Sequence, residues 1–78
     1  MNRTEIISKI KTIAAKRNIK FDEKDINKKL KDINIDSLSS ISLIIDVEDT
    51  FKITIPDDKF PTINTLNDLI TIIEGLIK

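Results

Sequence analysis

Among its 78 residues the chain has no cysteine, no histidine, no tryptophan and no tyrosine, with one glycine and two prolines. Without cysteine the polypeptide supplies neither disulfide nor thiolate, and without cysteine and histidine together no metal site of that ligand type can form. The missing histidine also removes the imidazole that ordinarily activates a serine nucleophile. A single glycine at position 75 excludes a glycine-rich loop that cradles phosphate. No apolar run approaches the length of a membrane span, and the opening residues MNRTEIISKIKTIAAKR lack the unbroken apolar stretch of a secretory signal. A cytoplasmic chain is expected.

What is present amounts to one domain, residues 1–78, small enough that nearly every apolar residue must serve the core. Lys and Arg balance Asp and Glu at 13 each, but unevenly along the chain. Residues 1–35 carry ten cations against five acids, and residues 36–78 carry three against eight, so the halves are +5 and −5. The basic residues are not interleaved with aromatics, which disfavours nucleic acid as a partner. The second half is placed to offer an acidic surface to partner proteins, although two differently solvated faces would produce the same asymmetry.

Thr4 followed by Ile6, Ile7, Ile10 and Ile13 predicts an amphipathic helix over 4–17, capped by Thr4, with Lys16 and Arg17 in its last turn. Residues 18–36 form a long polar loop pinned by Ile19, Phe21, Ile26, Leu30 and Ile33, a length at which loops carry function or short helical turns. A second helix follows from Leu38. Its apolar residues exceed one stripe: Leu43, Ile44, Val47 and Phe51 are assigned to the core, whereas Leu38, Ile41 and Ile45 form a second stripe, displaced to the flank and partly exposed. The alternation in Phe51–Ile55 has no partner strand and is read as an extended linker. Pro56-Asp57-Asp58 then suits a short helical turn anchored by Phe60. Thr65 and Asp68 resemble a capping box that opens a last helix, in which Gly75 is either a left-handed cap or part of the final turn. The expected fold is all-α, a small antiparallel bundle of three main helices plus one short helix, with a long loop between helix one and helix two.

The stretch DINIDSL, residues 32–38, raises the functional question. Ser37 could be a helix cap, a nucleophile or a point of attachment. The absent histidine disfavours the nucleophile, and the tripeptide alone favours the cap. The acids Asp46, Glu48, Asp49, Asp57 and Asp58 do not follow calcium-loop spacing, so no metal site is expected. Autonomous catalysis is not expected.

The wider pattern resembles the acyl carrier protein family. The family signature Asp-Leu-Gly-x-Asp-Ser-Leu is matched by residues 32–38, with Ile33 for leucine and Asn34 for glycine. Downstream, Glu48, Asp49, Phe51 and Ile53-Thr54-Ile55-Pro56-Asp57 follow in the family's order and at its distances. The resemblance implies that Ser37 receives 4′-phosphopantetheine from coenzyme A through a phosphopantetheinyl transferase, so that the missing thiol is imported. It implies a carrier and not an enzyme, a monomer serving acyl-loading and acyl-processing enzymes of fatty acid, polyketide or related biosynthesis. Asp36 would lie beside the attachment point, near the transferase and its metal ion. Leu38, Ile41 and Ile45 match the exposed apolar positions of the family's recognition helix, and Glu48 and Asp49 its acidic positions. Asn34 tolerates the left-handed backbone that glycine would adopt. Ser39, Ser40 and Ser42 stand where housekeeping fatty acid carriers are typically acidic, which points to a specialised member. The alternative is a helical interaction domain of carrier fold that works through the Leu38, Ile41, Ile45 stripe without a prosthetic group.

Overall fold

A computed structural model describes residues 2–77. Three α-helices, α1 (Arg3–Ala15), α2 (Ser37–Phe51) and α3 (Leu66–Leu76), are joined by segments containing 3-10 turns at Glu23–Asp25, Leu30–Ile33 and Asp57–Thr62. Among the described residues the sole β pairing is an isolated bridge between Lys29 and Thr65. This is the expected all-α architecture, the last 3-10 turn being the short helix.

Ile6, Ile10, Leu43, Val47, Leu66, Ile70 and Ile73 form the centre of the core, and α1 packs against both α2 and α3. Burying seven such aliphatic side chains removes much apolar surface from water, at about 1.5–3 kcal/mol each before entropy is counted against it. Two arginines add polar ties from α1. Arg3 donates to Glu74 and Asn67 of α3, and Arg17 donates to Asp46 of α2 at 2.6 Å.

The helix ends correct several expectations. Asn2, not Thr4, caps α1, its side chain accepting the Glu5 N–H at 2.8 Å. The helix stops at Ala15, because Asn18 turns left-handed (φ 61°) and Ile19 N–H returns to the Ala14 carbonyl. Lys16 and Arg17 therefore follow the last turn instead of filling it, and Arg17 is free to reach α2. The capping box of Thr65 and Asp68 forms as expected. Gly75 lies inside α3 without a positive φ, so it belongs to the final turn and is not a left-handed cap.

The loop from 18 to 36 is ordered by backbone bonds, both within it and to the start of α3. Leu30 N–H donates to Asn64 O at 3.0 Å, Asn67 N–H donates to Ile26 O at 2.8 Å, and Ile35 N–H closes on Leu30 O at 2.9 Å. Ile19, Phe21, Ile26 and Ile35 are buried, while Leu30 and Ile33 pack half-buried on the core. The loop is thereby fastened to the start of α3, and it delivers the chain to the first turn of α2. Residues 53–55 run extended without a partner strand, with Ile55 buried. Pro56 precedes the third 3-10 turn as its cap residue, one position earlier than the first-turn place expected of it.

Candidate functional site

The approach to Ser37 is set by one residue. Asn34 ends the second 3-10 turn in the left-handed region (φ 65°, ψ 29°), a conformation whose cost for most side chains asparagine reduces. The turn survives without glycine. It swings the chain so that Ile35 drops into the core and Asp36 meets the first turn of α2.

Asp36, not Ser37, is the N-cap. Its Oδ1 accepts the Ser39 N–H at 2.7 Å, and its carbonyl accepts the Ser40 N–H. The Ser39 N–H, joined by the Ser39 hydroxyl, holds the Asp36 carboxyl below its ordinary range. Ser37 is the first helical residue and is exposed. The choice between cap and attachment point thus dissolves. The aspartate closes the helix, and the serine hydroxyl stands at the positive helix end without being needed to close it. Ser40 Oγ donates back to the Ser37 carbonyl at 2.9 Å, tightening the same turn.

Beyond this turn α2 separates into faces. At about 100° per residue, Leu38, Ile41, Ile45 and Asp49 fall on one side and Leu43, Val47 and Phe51 on the other. Leu43 and Val47 are 1% and 0% exposed, whereas Leu38, Ile41 and Ile45 are 79%, 44% and 55% exposed. The second stripe is exposed, with Ile41 bordering the buried Ile44. It holds three of the four large apolar side chains that are exposed among the described residues.

The two acids at the far end of α2 differ. Asp49 is exposed. Glu48 is half-buried, and its Oε2 accepts the Ile55 N–H at 2.7 Å, so it ties the extended linker to the helix. Lys52, in the left-handed region, ends α2, and the N–H groups of Lys52 and Ile53 close on the Glu48 carbonyl. Sequence pattern gave no sign of this linker role, because Glu48 and Ile55 meet only after the helix has ended.

A groove of about 520 Å³ opens at Ser37, its lining including Lys29, Leu30, Lys31, Asp36, Ile63 and Asn64. Its volume falls within the range of about 300–1,000 Å³ usual for small-molecule sites. Sequence reading missed it, since it forms where the first loop meets the start of α3.

The model of the phosphopantetheine attachment site family matches residues 8–73. The chain is 37% identical to the acyl carrier protein homolog of Mycoplasma genitalium, covering 99% of this chain and 94% of that one. It is 33% identical to the acyl carrier protein of Thermosynechococcus vestitus over 99% and 98% of the two chains. A crystal structure of the acyl carrier protein from Thermotoga maritima superimposes with a TM-score of 0.85 at 29% identity, covering 96% of this chain and 89% of that one. The chain belongs to the acyl carrier protein family. With the family comes its covalently attached 4′-phosphopantetheine. An exposed hydroxyl at the positive end of a fifteen-residue helix suits a phosphodiester, which is favoured beside free backbone N–H groups.

Proposed function

We propose that this protein carries acyl groups as thioesters on a 4′-phosphopantetheine arm esterified to Ser37, and presents the Leu38, Ile41, Ile45 face of α2 to the enzymes that load and process them. The observation that carries the reading is the exposed Ser37 hydroxyl one residue after the capping carboxylate of Asp36. When attached, the group supplies the thiol that the cysteine-free polypeptide lacks.

Each residue has a separable task. Ser37 Oγ forms the phosphodiester bond, and Asp36 fixes the turn that displays it. Asp36 also lies at the approach of the phosphopantetheinyl transferase and its metal ion. Leu38, Ile41 and Ile45 provide apolar anchors for partner enzymes, and Asp49, together with Glu48, steers basic partner surfaces by raising on-rates. The chain itself catalyses nothing in this scheme.

Ser39, Ser40 and Ser42 leave the first turns of α2 without an acid. Docking near the arm therefore rests on apolar contact, which supports a dedicated enzyme set over the standard fatty acid machinery. The cytoplasm is where coenzyme A and a transferase would meet the protein, and among the described residues no helix is long and apolar enough to cross a membrane.

Incubation with coenzyme A and a broad-specificity phosphopantetheinyl transferase, read by intact mass, tests the reading. One prosthetic group is expected on the native protein and none on Ser37→Ala. The exposed stripe also suits an interaction domain that uses no arm. In that case Ser37→Ala would preserve function in the cell and Ile41→Asp would abolish it, whereas a carrier loses function with Ser37→Ala and is weakened by Ile41→Asp.

A further inference from the structure

The groove at Ser37 carries a charge that the acidic half of the chain does not suggest. Lys29 and Lys31 line it on either side of Leu30. In this part of the loop Lys28 is engaged by Asp25 at 3.0 Å, while among the described residues neither Lys29 nor Lys31 has a carboxylate partner. Asp36 is the one acid of the lining, and its Oδ1 is committed to Ser39 N–H. The lysine side chains are exposed, but the backbone beneath them is fixed by the bridge to Thr65 and by the bonds of Leu30 N–H to Asn64 O and Ile35 N–H to Leu30 O. Two cations thus stand in the lining of a groove that Ser37, from which the attached group starts, also lines.

Resting on the reading that Ser37 bears the arm, we propose that Lys29 and Lys31 hold its phosphodiester anion at the groove, so that the arm rests against Leu30, Ile63 and Asn64 between encounters instead of moving freely in solvent. A single exposed ion pair is weak, but attachment at Ser37 makes the contact intramolecular and raises the effective concentration of the anion beside the lysines. The contact is also easily broken, since exposed charges are screened by salt and displaced by a competing surface. A carrier needs that reversibility, because the arm must leave for an enzyme's active site.

The experiment compares apo and holo forms by amide NMR and by the 31P resonance of the phosphodiester, after intact mass has verified complete loading. The variants are Lys29→Gln/Lys31→Gln and Lys29→Arg/Lys31→Arg. In the native protein, loading should shift the amides of Leu30, Lys31, Ile63 and Asn64 as well as those next to Ser37. In the glutamine variant the distant shifts should be lost and the 31P resonance should move, while the arginine variant retains both. Raising ionic strength from about 0.01 M to about 1 M shortens the screening length from about 30 Å to about 3 Å and should erase the distant shifts in the native protein without any substitution. Shifts confined to residues 36–40 in native holo protein, or distant shifts indifferent to salt and to the glutamine variant, would overturn the proposal. Failure to load at all overturns the carrier reading beneath it, whereas a loaded protein with a free arm overturns this inference alone.

Discussion

The two sides of α2 use the same kinds of side chain for opposite ends. Leu43 and Val47 are sealed in the core, whereas Ile45, which lies between them in sequence, and Leu38 earlier on the same helix stand in water. Composition does not separate them; only the rotation about the helix axis does. An apolar side chain on the inner side holds the fold together, and one on the outer side is, on the proposed reading, a place for another protein to bind. The outer side therefore tolerates substitution that the inner side does not.

Leu43→Ala should break this contrast most visibly. It removes a buried side chain and should cost about 2–5 kcal/mol. In a domain of this size each kcal/mol lowers Tm by roughly 4–8 °C, so thermal melts should show a large drop. Leu38→Ala should stay within about 0.5 kcal/mol of the native stability. If Leu38→Ala destabilised as much as Leu43→Ala, the outer side would not be a free surface.

Asn34→Val is the next largest. A β-branched residue forced left-handed costs roughly 1–2 kcal/mol, and the turn that presents Ser37 should loosen, so both Tm and the rate of loading by a transferase should fall. Asn34→Gly should keep both.

Ile41→Asp addresses the outer side directly. If Ile41 is a central anchor of that surface, its loss should cost more than about 1 kcal/mol, roughly a fivefold fall in kcat/KM of an acyl-processing partner, with Tm unchanged. The two acids sharpen the same division. Glu48→Ala should lower Tm through the lost bond to Ile55 N–H, a contribution of about 1 kcal/mol, and Glu48→Gln should retain most of it. Asp49→Asn should leave Tm alone and reduce only the salt-sensitive part of partner association.

The smallest expected effect is on pH dependence. Asp36 is held low by the Ser39 N–H, Asp46 by the Arg17 guanidinium, and Asp25 by the Asp22 N–H. Each folded value lies below the ordinary carboxylate value of 3.8, so the stabilisation is fully present above that value and is lost as pH falls through the lowered folded values. Melts should be flat from neutral pH down to about 5 and decline below about 4. Asp36→Asn and Asp46→Asn should each flatten part of the decline.

Features decided within one turn of chain were legible in the sequence. The capping box of Thr65 and Asp68, the left-handed Asn34 and the surplus of apolar residues in α2 all reflect contacts between residues three or four positions apart, or the backbone preference of one side chain. Neighbouring candidates for one role were harder. Asp36 and Ser37 are both good N-caps, as are Asn2 and Thr4, and sequence preference alone does not choose between them. Contacts made only on folding were not legible. Arg17 reaches Asp46 across 29 positions, Glu48 meets the Ile55 N–H beyond the helix end, and the groove is lined both by the first loop and by Ile63 and Asn64 before α3.

The central claim is that Ser37, and no other serine of that turn, takes the prosthetic group. Fragmentation mass spectrometry of the loaded protein tests it most directly, because Ser39, Ser40 and Ser42 lie within five residues and share the same peptide. The added mass should be found on Ser37 alone. Its appearance on Ser39, Ser40 or Ser42, or on a Ser37→Ala variant, would contradict the account.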